Sequence, residues 1–127
     1  MQNKPSAAEL VGAVRSFLEQ DAMPRLEGRA AFHARVAVNA LAIVERELDA
    51  GPLAAAEEHA RLRQLLGRDG SLDELSRELA RRIRTRELEP SDAALRTHLW
   101  ETTLAKVGID QPRYSRYRRE MAQRKPG

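Results

Sequence analysis

The chain of 127 residues has 42% hydrophobic and 32% charged side chains, the profile of one ordinary folded domain and not of a disordered segment. It has no cysteine, which excludes disulfides, thiol nucleophiles and cysteine-ligated zinc together and fits a reducing, cytoplasmic setting. The net charge of +3 is uneven: residues 113–127 hold six Lys/Arg and one Glu, a local +5, so residues 1–112 carry −2.

The N-terminus, "MQNKPSAAEL", lacks the basic segment and apolar run of a signal peptide. No apolar stretch reaches the length of about 18 residues that a membrane span needs. Ser6 followed by Glu9 is a capping box, and Leu10, Val14, Phe17 and Leu18 recur at helical spacing, which predicts a first helix near 6–21. A second helix starts at either Pro24 or Arg29 and stops at Ala50-Gly51-Pro52. A third covers about 53–66 through Leu62, Leu65 and Leu66, with Gly67 after it. Ser71 and Glu74 form a second capping box ahead of the stripe Leu72, Leu75, Leu79 and Ile83. Pro90 ends that helix, and Ser91 caps a fifth near 92–107 through Leu95, Leu99, Trp100, Leu104 and Val107. No strand pattern and no repeat interrupts this series. The expected fold is all-α, a single-domain up-and-down bundle of about five helices over 1–112, followed by a basic, flexible tail over 113–127. A leftover apolar face makes a homodimer one expectation.

The run "RAAFHARVAVNALAIVERE", residues 29–47, raises the question of a site, because it mixes apolar residues with Arg29, His33 and Asn39. On a helical wheel with Phe32 at zero, Val36, Ala37, Ala40, Leu41, Ile43, Val44 and Leu48 fill an arc of about 180°. His33 falls near the middle of that arc, Arg29 lies one turn before it, and Asn39 sits at its edge. Arg35, Glu45 and Arg46 fall outside. A buried Arg or His needs partners, since unpaired burial costs several kcal/mol. Two readings follow. Either the three are satisfied by neighbouring helices, or they line a cleft that binds a small anionic ligand.

Other chemistry finds less support. His33, His59 and His98 fall on three predicted helices without the Glu-x-x-His spacing of di-iron bundles, so no metal site is expected, and His98 lies off its helix's apolar face. "GRDG" lacks the Lys-Ser/Thr of a phosphate loop, and no serine sits in a nucleophile elbow, so neither cofactor nor catalytic residue is assigned. The tail "RYSRYRREMAQRK" interleaves Tyr114 and Tyr117 with arginines, a combination that binds nucleic acid in some proteins, although the acidic body argues against it here.

"FLEQDAMPRLEGRAAFHARVAVNALAIVERE" together with "TTLAKVGIDQPRYS" resembles a bacterial domain family of unknown function, over roughly residues 1–115. The resemblance rests on the Gly-Arg before the helix, the Phe-His-Ala-Arg-Val-Ala block, Asn39 and the ending Lys106, Ile109-Asp110, Pro112 and Tyr114. Such proteins accompany aminoglycoside-phosphotransferase-like kinases and acyl-CoA dehydrogenases, so the resemblance implies an accessory protein with an enzyme of that kind as partner. It assigns no catalytic residue. Arg29, His33, Arg35, Asn39, Lys106 and Tyr114 are therefore positions to test.

Overall fold

A computed structural model describes residues 5–124; the ends of the N-terminal and basic C-terminal segments, residues 1–4 and 125–127, lie outside the described residues. The chain is all-α, with five helices and no strand among the described residues. They are α1 (Ala7–Phe17), α2 (Gly28–Leu66), α3 (Leu72–Arg84), α4 (Ala93–Asp110) and α5 (Ser115–Arg124). Among them no helix is long and apolar enough to cross a membrane.

The count of five conceals two differences from the periodicity. The expected second and third helices are one element of 39 residues, α2, with Pro52 inside it. Proline removes one backbone donor and crowds the preceding turn. Leu48 and its neighbours 47–50 and 52–53 are exposed, so water can reach the Leu48 carbonyl that Pro52 leaves without an amide. The second difference is α5: where the sequence suggests a flexible extension, residues 115–124 are helical. Arg124 anchors it with a bidentate pair to Glu101 of α4 at 2.6 and 3.1 Å.

Local chemistry sets the other boundaries. Both capping boxes are present: the Ser6 hydroxyl accepts from Glu9 N and the Ser71 hydroxyl from Glu74 N, and each glutamate reaches back to the serine amide. Asp92, one residue beyond the expected Ser91, caps α4 by accepting from the amides of Ala94 and Leu95. α1 runs on through a π-helical turn (Leu18–Ala22) into a 3-10 turn (Met23–Arg25) that contains Pro24, and α2 opens at Gly28. Gly67, with φ of +67°, ends α2 in the left-handed conformation that glycine adopts without penalty.

Two compact units divide the chain, Met1–Gly51 and Pro52–Gly127. In the second, Leu62 and Leu66 of α2, Leu75 and Leu79 of α3 and Leu95 of α4 form one leucine cluster, with Leu65, Leu72 and Leu88 packed against it. Leu62 and Leu75 are fully buried. Polar contacts close its ends: His59 Nε2–H donates to Gly70 O at 2.7 Å, and Arg82 donates to Leu66 O at 3.3 Å. On α3, Glu78 accepts from both Arg81 and Arg82, and this pairing holds its carboxyl at about 2, well below the usual range.

The first unit is built differently. Arg15 of α1 pairs with Glu45 of α2 and, at 3.0 Å, with Glu19. A Cβ added to Gly12 would sit 2.9 Å from the Glu45 carboxylate, which would have to shift to make room. The buried side of this part of α2 carries Ala34 and Val38. This part of the chain thus combines an ion pair and small buried residues with half-buried Val11, Leu18, Leu41 and Ile43.

Candidate functional site

The residues singled out in the sequence occupy the start of α2, and the structure corrects their environment. Arg29, His33, Arg35 and Asn39 are all exposed. The arc the wheel places around Phe32, Val36, Ala37, Ala40, Leu41, Ile43, Val44 and Leu48 is split: Ala37, Leu41 and Ile43 are half-buried and the rest exposed, while the buried positions are Ala34 and Val38. Large apolar residues draw the arc away from Ala34 and Val38, whose smaller side chains are the buried ones. Arg29 Nε donates to His33 Nε2 at 3.3 Å, and the Phe32 ring meets the His33 ring edge-on with centroids 5.6 Å apart. Asn39 is one and a half turns further along. Of the remaining motif positions, Lys106 is exposed on α4, and Tyr114 lines a cleft of about 260 Å³ between α4 and α5 with Trp100, Leu104, Val107 and Tyr117.

The large apolar side chains form two exposed stripes. On α1, Leu10, Val14 and Phe17 are each more than half exposed. They lie on the opposite side of the helix from Gly12 and Arg15, the residues that meet Glu45. On the first half of α2, Phe32, Val36, Val44 and Leu48 are also exposed. Isolated surface leucines need no explanation, but seven large apolar residues on two helices of one small unit do.

A different feature sits in the second unit. His98 of α4, 4% exposed, is the only buried polar or charged side chain among the described residues. Its Nδ1 accepts from Arg61 Nε at 3.3 Å, and Arg61 Nη2 donates to Thr102 Oγ1 at 3.1 Å. The Nδ1 acceptor role fixes the neutral Nε2–H tautomer. Burial, and secondarily the Arg61 charge, push the imidazole below its ordinary pKa. Both side chains line a cleft of about 650 Å³ with Gln64, Leu65, Leu88 and Thr97. Sequence periodicity misses His98 because Leu99 and Trp100 draw the apolar face to their side, yet both are exposed. The informative signal is the spacing Leu95, His98, Thr102, Ala105, Ile109, a three-four alternation that tolerates polar members. No group of three or more metal-ligating side chains occurs among the described residues.

Residues 24–114 match a single family, a narrower span than the 1–115 that the resemblance implied, so α1 precedes the matched region while the α2 stripe and the His98 cleft fall inside it. No curated protein and no solved structure matches the chain. The match covers well over half of the chain, which therefore belongs to the family described as Domain of unknown function (DUF6285).

Proposed function

We propose that the protein is a non-catalytic accessory module that docks a protein partner on the apolar stripes of its first unit. The exposure of Leu10, Val14 and Phe17 on the side of α1 turned away from α2 carries this reading. Burying the exposed half of one such side chain is worth about 1 kcal/mol, so the seven together offer roughly 7 kcal/mol before the cost of association. Arg29 and His33, hydrogen-bonded to each other beside Phe32, supply polar contacts at the N-terminal end of the α2 stripe, an arrangement common beside apolar interface anchors. In this reading they act as polar contacts at the end of the stripe, and Asn39 lies at its edge.

The partner we favour is an aminoglycoside-phosphotransferase-like kinase or an acyl-CoA dehydrogenase-like enzyme in a bacterial cytoplasm, as the family resemblance implies. A second copy of the chain is the competing occupant. Nucleic-acid binding through α5 draws less support, since Arg124 is engaged by Glu101 and Glu120.

Co-expression of the full chain with each such enzyme from the same genome tests the proposal. The wild type is expected to co-purify with one of them, and Val14→Glu to weaken the complex by at least about tenfold, because a carboxylate would be desolvated at the interface. Failure of every pair to associate would sink the accessory reading. A dimer disrupted by the same substitution would transfer the surface to the second copy.

A further inference from the structure

Arg61 is a half-buried guanidinium with no carboxylate in ion-pair range among the described residues. Arg15, Arg81 and Arg82 are buried to a similar degree, and each holds a glutamate. The two acceptors that Arg61 does have, His98 Nδ1 and Thr102 Oγ1, are neutral. They orient the guanidinium fork. Glu101, a carboxylate whose pKa is lowered by Arg124 and, to a lesser degree, by the Arg61 charge, stands beyond ion-pair range of Arg61 and is itself held by Arg124. A partly desolvated cation that is held in place with no carboxylate in direct contact favours an anion in the adjoining space.

That space is the cleft between α2 and α4. Gln64 and Thr97 add hydrogen-bonding groups to its wall, and Leu65 and Leu88 add apolar surface. Leu88 reaches this position because Arg86 takes a left-handed conformation, φ +63°, after α3, and the amides of Glu87 and Leu88 fold back onto Arg82 O. Asp92 also lines the cleft, and its Oδ1 is engaged by the α4 amides. The cleft is therefore cationic at Arg61, apolar along one wall and acidic toward Asp92.

We propose that this cleft binds a small organic anion, with its carboxylate or phosphate head on the free edge of the Arg61 guanidinium and its short apolar body against Leu65 and Leu88. Arg61 and His98 then form one unit: the imidazole positions the guanidinium, and the guanidinium contacts the ligand. The site is independent of the docking stripes, which lie in the other unit.

The test is an NMR titration of the full-length, isotopically labelled protein with butyrate and, separately, with inorganic phosphate, each against chloride at matched ionic strength. Saturable shifts at Gln64, Thr97 and His98 with one of the two anions are expected, and the anion that saturates identifies the head group. Arg61→Gln is expected to weaken that binding by at least about tenfold, the usual effect of removing a charged hydrogen-bond donor. Thr97→Trp, at an exposed position on the cleft wall, is expected to block it without touching Arg61. Absence of saturation with both anions would overturn the proposal, as would binding that survives Arg61→Gln in a folded protein. Should Arg61→Gln fail to fold, Thr97→Trp decides, and undiminished binding to that variant overturns the site.

Discussion

His98 shows how one side chain ties stability to pH in this protein. Burial and the Arg61 charge hold the imidazole neutral in the folded state, below its ordinary pKa. In the unfolded chain the same group takes up a proton near its reference value of about 6.5. The unfolded state thus binds more protons as pH falls below that point, so the contribution of His98 is intact above about 6.5 and is lost progressively beneath it. Denaturant midpoints are expected to hold steady at neutral pH and to fall between about pH 6.5 and 5, before most carboxylates titrate. His98→Asn, whose amide oxygen can still accept from Arg61, should flatten that decline. An unchanged slope in the variant would show that His98 is not the group responsible. None of this is readable from apolar periodicity, because the stripe containing His98 alternates leucine and isoleucine with His, Thr and Ala.

At the scale of elements, legibility followed the range of the interaction. The capping boxes at Ser6 and Ser71 were legible because side chain and amide lie three residues apart, whatever the rest of the chain does. The Gly51-Pro52 pair predicts a stop because its local preference is unambiguous, yet α2 passes through it. Pro52→Ala separates the two descriptions. In a continuous helix the substitution restores an amide donor and should raise stability by about 1–3 kcal/mol. Were Pro52 at the first turn of a separate helix, its fixed φ would already be favourable, and alanine would leave stability unchanged or lower it. Urea unfolding followed by circular dichroism measures the difference. α5 is illegible locally for a related reason: its anchor, Glu101, lies 23 residues before Arg124 in sequence.

At the scale of the whole molecule, the inference from hydrophobicity to burial failed on one helix and was informative in failing. The wheel for α2 assumed that the largest apolar residues face the chain's own core. Instead Gly12 and Arg15 of α1 meet Glu45, Ala34 and Val38 are the buried residues of this part of α2, and Phe32, Val36, Val44 and Leu48 remain exposed. The leucine cluster of the second unit obeyed the same assumption, since Leu62, Leu66, Leu75 and Leu79 are buried as their spacing implies. One sequence therefore contains an apolar face used internally and another left outward. As proposed above, the outward face docks a partner enzyme. Site-specific photocrosslinking tests this most directly, with benzoylphenylalanine placed singly at Val14, at Val36 and, as a control, at Arg96 on α4, in cells that co-express the candidate partner. Covalent adducts with the partner are expected from positions 14 and 36 and none from 96; adducts from 96 alone, or from none of the three, would rule out a docking surface there.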